Sequence, residues 1–80
     1  MTIEQMINEG LVTVRNGEIH LGTQNGWGAK TLVAYKALNE IRVPNTGTSR
    51  NLGRCYNEYS FTVNDGTNEY VVVYSVDSSD

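Results

Sequence analysis

The stretch CYNEYSFTVNDGTNEYVVVYSV, residues 55–76, constrains this chain more than any other. Two runs rich in Tyr, Phe, Val and Thr flank Asn64, Asp65 and Gly66, a strong turn signal, so the stretch reads as a long β-hairpin. With Asp65 and Gly66 as a two-residue loop, Val63, Phe61 and Tyr59 oppose Asn68, Tyr70 and Val72. These residues, with Tyr74 and Val76, form the expected inward face. A three-residue turn with Gly66 as the bulge residue keeps the same facing and shifts the partners. The outward face carries Tyr56, Glu58, Ser60, Thr62, Glu69, Val71 and Val73. Two valines on a nominally wet face mean either a strand buried on both sides or an exposed apolar patch. Residues 77–80, beginning at Asp77, read as a frayed acidic tail.

A second, shorter hairpin precedes it. In residues 11–21, LVTVRNGEIHL, Asn16 and Gly17 form the preferred two-residue type I′ turn, because both positions need positive φ. Counting outward pairs Arg15 with Glu18, Val14 with Ile19, Thr13 with His20 and Val12 with Leu21. Val12, Val14, Ile19 and Leu21 then share one face, while Thr13, His20 and the Arg15–Glu18 pair occupy the other, as a one-sided antiparallel sheet requires.

The remaining segments are helical or irregular. Thr2 and Gln5 have the spacing of a capping box, Ile3, Met6 and Ile7 fall on one helical face, and Gly10 supplies a left-handed stop, giving a short helix over residues 3–9. Residues 22–28, GTQNGWG, form a flexible connector. In AKTLVAYKALNEI, Leu32, Tyr35, Leu38 and Ile41 step by three, with Val33, Ala34 and Ala37 on the same broad side, so residues 29–41 form the main helix. Pro44 biases Val43 away from helical angles and closes it. Residues 45–53, NTGTSRNLG, read as an exposed loop. The expected architecture is α+β: short helix, hairpin, main helix, long hairpin, with a four-stranded antiparallel sheet covered on one face by the main helix.

Eighty residues with 39% hydrophobic and 19% charged content make one small globular domain spanning 1–80. Such a chain buries only about 60% of its unfolded surface, so its core is thin and completion by a dimer or partner is a live expectation. One cysteine cannot form an internal disulfide, and one His with one Cys cannot supply a structural zinc site; no metal or cofactor is expected. A net charge of −3 lacks the electrostatic footprint of a nucleic-acid binder. No apolar run approaches ~20 residues, so no membrane span is expected. The polar start MTIEQMINEG has no secretory pattern, and the lone thiol fits a reducing setting, so a cytoplasmic location is expected.

Several motifs invite chemistry. GTQNGWGAKT follows a strand, precedes a helix and ends in Lys-Thr, as a phosphate-binding loop does. Ala29 stands where that loop needs glycine before Lys30, however, and the preceding strand belongs to a hairpin, so a structural connector with Trp27 as a plug is the reading. His20 sits opposite Thr13 with no carboxylate or nucleophile placed beside it, and Cys55 reads as a small apolar residue opening a strand. No catalytic set emerges, and the chain is expected not to be an enzyme. Arg42, Arg50 and Arg54 bracket the polar loop and are candidate anion contacts, since guanidinium groups hold phosphate or carboxylate bidentately. The alternative is a solvated loop balanced by the acidic hairpin.

The hairpin itself carries Glu58, Asp65 and Glu69, with Asp77 and Asp80 after it and no Lys or Arg beyond Arg54. An acidic ribbon with tyrosines can present charge and stiff contact area to a basic protein groove. The candidate partner-binding residues are Tyr56, Glu58, Glu69, Val71, Val73 and Asp77. In size, acidity and lack of a catalytic set, with the acidic CYNEYSFTVNDGTNEY ribbon, the chain resembles the small phage-encoded inhibitors of bacterial defence, the anti-CRISPR-type proteins. That resemblance implies a non-enzymatic inhibitor in the host cytoplasm that occludes a basic, nucleic-acid-binding surface of a CRISPR effector subunit. Two other readings stand beside it. One is a homodimeric accessory protein pairing through Val71 and Val73 or an exposed strand edge; the other is a nucleic-acid binder using Arg42, Arg50 and Arg54 with Trp27.

Overall fold

The computed structural model describes residues 1–78. The chain runs α1 (Ile3–Asn8), β1 (Thr13–Arg15), β2 (Glu18–Thr23), a 3₁₀ turn (Gln24–Gly26), α2 (Ala29–Glu40), β3 (Thr48–Gly53), β4 (Tyr56–Asn64) and β5 (Glu69–Asp77). The α+β class is as the sequence implies. The sheet is not: it has five strands, in the order β1-β2-β5-β4-β3, and it is mixed.

The first hairpin has its expected register at Thr13 with His20, Val14 with Ile19 and Arg15 with Glu18, while β1 begins at Thr13 and the expected Val12–Leu21 pair is not part of the ladder. Asn16 and Gly17 have φ of 52° and 78°, the conformation a type I′ turn demands. The capping box is also present: the Thr2 hydroxyl accepts from the Gln5 amide at 3.1 Å and the Gln5 side chain accepts from the Thr2 amide at 2.7 Å. Gly10, with φ of +72°, follows the C-cap of α1 and turns the chain toward β1. Six residues cannot sustain a helix alone, so α1 depends on seating Ile3 and Met6 in the core.

β5 is the centre of the sheet. It pairs antiparallel with β4 on one side and parallel with β2 on the other, Ile19 meeting Val72 and His20 meeting Val73. The expectation of a wholly antiparallel sheet is therefore corrected. The physical reason lies in the valine run from Val71 to Val73, which suits a central strand better than an edge. Between β2 and β5 the chain crosses by way of α2 and then returns through β3 and β4.

The fifth strand comes from the segment expected to be a loop. Residues 48–53 are all exposed, as their polarity implies, yet they pair with β4 from Thr48 against Ser60 to Gly53 against Tyr56. Farther along β4, the Val43 amide donates to Thr62 at 2.8 Å and the Asn64 amide to Ile41 at 3.0 Å. The Thr46 hydroxyl bridges the two regions, donating to the Val43 carbonyl at 2.7 Å and accepting from the Thr62 amide at 3.0 Å. Pairing this polar segment satisfies the edge of β4 that would otherwise lie open.

The long hairpin keeps its expected facing but not its register. Its last pair is Asn64 with Glu69, leaving a four-residue loop, so Val63 meets Tyr70 and Phe61 meets Val72. The loop side chains explain the difference. The Asp65 carboxylate accepts from the Thr67 and Asn68 amides at 2.8 and 2.7 Å, and Asn64 Oδ1 accepts from the Gly66 amide at 2.7 Å. These side-chain bonds compete with a tight two-residue turn and draw Asn68 out of the strand.

Ile3, Met6, Val12, Ile19, Leu21, Ala34, Leu38, Phe61, Val63 and Val72 form the core, between the helices and one face of the sheet. Burying each large aliphatic contributes about 1.5–3 kcal/mol. The face expected of α2 is narrower than the spacing implies: Ala34 and Leu38 are buried, while Leu32 and Val33 are exposed. Tyr59, expected inward, lies on the core side but remains 37% exposed. Asp77 is the last residue of β5 rather than the start of a frayed tail, and Ser78 donates through its amide and hydroxyl to the Cys55 carbonyl at 2.9 and 3.0 Å. The rest of the expected tail lies outside the described residues.

Candidate functional site

Strand alternation and the observed registers place one set of side chains on the sheet face turned away from the helices. Three cross-strand rows define it. Arg15, Glu18, Val71 and Thr62 form the first row, and Thr13, His20, Val73, Ser60 and Thr48 the second. Thr23, Ser75, Glu58 and Arg50 form the third. Tyr56 and Asp77 pair beyond the third row, and Glu69 with Asn64 beyond the first. All six candidate partner-binding residues, Tyr56, Glu58, Glu69, Val71, Val73 and Asp77, therefore share the outer face. They extend along most of β5, roughly 26 Å at about 3.3 Å per residue.

The centre of this face is apolar and its surroundings are polar. Val71 is 37% exposed and Val73 half-buried. The flanking polar groups largely satisfy one another. Arg50 donates to Glu58 at 3.0 Å, His20 and Glu18 meet at 3.1 Å, and the Thr23 and Ser75 hydroxyls bond at 3.0 Å. The Thr48 and Ser60 hydroxyls are bonded as well. A shallow depression of about 260 Å³ lies beside Val73, lined by Arg15, His20, Leu52, Glu58 and Ser75. Leu52 and Tyr56, 49% and 46% exposed, add apolar area at its β3–β4 end.

The Glu18 carboxylate beside His20 corrects the expectation that the imidazole has no acidic neighbour. Residues two apart on a strand share a face, so the pair was readable from Glu18, Ile19 and His20 alone. Cys55 is not brought to it: His20 lies in the row of Ser60, five residues from Cys55 along β4, roughly 16 Å at the usual strand rise. The geometry offers no nucleophile–base pair there.

The arginine trio does not form one site. Arg50 projects on the outer face toward Glu58, and Arg54 sits exposed in the turn between β3 and β4. Arg42 lies on the opposite, helix-bearing side, its guanidinium carbon 4.8 Å from the centroid of Phe61. The division follows from β3 being a strand, whose pairing fixes where Arg50 points, whereas a loop would leave it free.

On the inner side, at the end away from α1, an aromatic group joins the elements. Trp27 Nε1 donates to the Leu21 carbonyl at 2.9 Å, and its ring lies 5.1 Å from Tyr35 and 5.4 Å from Tyr74. Tyr74 also meets Tyr35 edge-on at 5.3 Å and stacks on Tyr59 at 5.6 Å. Burial, reinforced by the Tyr35 hydroxyl 3.4 Å away, pushes the Tyr74 phenol well above its ordinary range. Trp27 thus acts as a plug between the connector, β2 and α2, and not as part of a phosphate loop. Among the described residues, no three His, Cys, Asp or Glu side chains gather in a metal-binding group. No helix among them is long and apolar enough to cross a membrane.

No protein-family model matches the chain, and comparison with curated proteins and with solved structures gives no match.

Proposed function

We propose that the chain is a non-enzymatic protein-binding module that docks through the outer face of its sheet. The observation that supports this reading most is the arrangement of that face. An apolar centre at Val71 and Val73, open to solvent, is bordered by polar groups already bonded to one another, so a partner can cover it without stranding many donors. The face measures roughly 20 by 26 Å in projection from strand spacing and rise, in keeping with a modest specific interface. Glu18, Glu58, Glu69 and Asp77 stand on it against Arg15 and Arg50, an acidic excess suited to a basic partner.

The mode of action we favour is inhibition in the manner of the anti-CRISPR-type proteins, with the chain in the host cytoplasm covering a basic, nucleic-acid-binding surface of a CRISPR effector. Recognition then rests on the valine centre, Leu52 and Tyr56, with charge steering the approach. The test is phage plating on hosts carrying different CRISPR effectors, with and without the expressed chain, followed by binding of purified chain to each effector. Restored plating with at least one effector, together with direct binding, is the expected result. Unchanged plating with every effector, alongside no binding, overturns the inhibitor reading.

A second reading, a homodimer, is favoured by β3. All six of its residues are exposed, and its outer edge carries backbone groups that another strand can pair with. Sedimentation across a concentration range distinguishes it. Nucleic-acid binding through Arg42, Arg50 and Arg54 lacks a common surface, and negligible affinity for DNA or RNA at low salt is expected.

A further inference from the structure

Where α2 stops short of β3, the helix-bearing side of the sheet leaves an open cleft of about 300 Å³ between Arg42, Gly47, Ser49, Tyr59, Phe61 and Tyr74. Thr48 and Ser60 of the outer-face rows also border it, but its charged group, Arg42, is not one of the outer face. The Arg42 guanidinium carbon lies over the Phe61 ring, 4.8 Å from its centroid, a cation–π contact that places the charge at the cleft. Gly47 lies against the same side chain, and a Cβ there would displace the Arg42 Nη2 end. Among the described residues the guanidinium meets no carboxylate, in contrast to Arg50, which pairs with Glu58. A cation is thus placed between Phe61 and Gly47, with no carboxylate partner among the described residues.

The remaining walls suit one chemical class. Tyr59 stacks on Tyr74 with an interplanar angle of 24° and is 37% exposed, so one ring face is covered and area remains on the other side. Ser49 pairs with Tyr59 across the strands and brings its hydroxyl to the same side. Tyr74, its phenol pushed further above its ordinary range by burial and the Tyr35 hydroxyl, brings no negative charge there. Among the described residues no acidic side chain lines the cleft. We propose that this cleft binds a small organic oxyanion, a phosphate or carboxylate carried on a planar ring. The oxyanion takes the edge of the Arg42 guanidinium, and the ring lies against Tyr59. The volume is at the small end of ligand sites, which fits a single ring and its anionic group. The site stands independently of the outer-face reading, since it occupies the other side of the sheet.

The experiment is an NMR titration of the isotopically labelled full chain with adenosine 5′-monophosphate, benzoate and adenosine. The first probe carries a phosphate, the second a carboxylate and the third a ring with no anion. The expected result is saturable shifts of the Arg42 Nε–Hε signal and the Tyr59 and Phe61 rings with at least one of the two anions, at a Kd of roughly 1 mM or tighter. Saturation by one anion alone identifies which oxyanion the cleft takes. Adenosine is expected to bind at least about tenfold more weakly, and Arg42→Gln to weaken the anion by at least about tenfold. Arg42→Lys keeps the charge but loses the planar fork, and should fall between the two. Tyr59→Leu, at a half-exposed position, provides a second variant and should also weaken binding. Absence of saturable shifts with both anions overturns the proposal. So does adenosine binding as tightly as its monophosphate, or unchanged affinity in Arg42→Gln.

Discussion

Val71 and Val72 are chemically identical neighbours on one strand, and the fold assigns them opposite duties. Val72 is fully buried, between Phe61 and Ile19 in the pairing, whereas Val71 is 37% exposed between Glu18 and Thr62. Truncating Val72 to Ala removes two buried carbons, about 1.6 kcal/mol of transfer at ~0.8 kcal/mol each. The cavity left behind raises the expected loss to about 2–3 kcal/mol. For a domain of this size that lowers Tm by roughly 8–20 °C. Val71→Ala loses packing on one side only, and its cost is expected below about 1 kcal/mol. Urea unfolding followed by circular dichroism, with an unchanged m-value, measures both. Equal losses for the two valines would refute the reasoning. They would mean that the outer face is covered in solution, and a concentration-dependent midpoint would assign the cover to a second copy.

Other consequences follow from single contacts. Trp27→Phe keeps ring packing against Tyr35 and Tyr74 but leaves the Leu21 carbonyl without its donor, so a loss of about 1–3 kcal/mol is expected in the same unfolding assay. Gly17→Ala places a Cβ at φ of +78° in the first turn and is expected to cost about 1 kcal/mol or more, read as a lower thermal midpoint. The Asp65 carboxyl is held below its ordinary value chiefly by the Asn68 and Thr67 amides. Its contribution is therefore present above the unfolded-state value near pH 4 and lost as pH falls through the lower folded value. Asp65→Asn should flatten that acid limb in pH-dependent melting, its midpoint falling below the wild type's at neutral pH and converging on it at low pH.

What could be read in the chain depended on whether the signal was local. Asn16 and Gly17 fix a turn by their own backbone preferences, and every pair of the first hairpin follows by counting. Thr2 with Gln5 likewise declares the start of α1. The second hairpin was harder, because Asn64 and Asp65 have side chains that bond the loop amides. Those bonds decide the loop length, which residue type alone leaves open. β3 gave no signal at all. Both of its faces are wet, so residues 48–53 carry no apolar alternation, and only the unsatisfied edge of β4 calls for them. The parallel pairing of β2 with β5 joins residues about fifty positions apart, beyond any local pattern. The valine run did carry a hint, since a strand apolar on both sides belongs in the middle of a sheet. In the candidate site, the facing of Tyr56, Glu58, Glu69, Val71 and Val73 was legible from period-two alternation. The partners that hold Glu58 and His20 in place were legible only in part. Arg50 required β3 to exist, whereas Glu18 required only that neighbours two apart share a face.

The central claim is that the outer sheet face, and not the helical side, meets a partner. Two double variants test it most directly: Val71→Asp with Val73→Asp on that face, and Leu32→Asp with Val33→Asp on α2. Both helix residues are exposed, at 41% and 53%, so neither pair removes a core side chain. Each variant is first matched to the wild type by circular dichroism and by thermal midpoint. Binding to the effector identified by plating is then measured. The sheet variant is predicted to lose at least about a hundredfold in affinity, roughly 2.7 kcal/mol, with the helix variant within a few-fold of wild type. Retained binding by a folded sheet variant, with loss in the helix variant, would contradict the account.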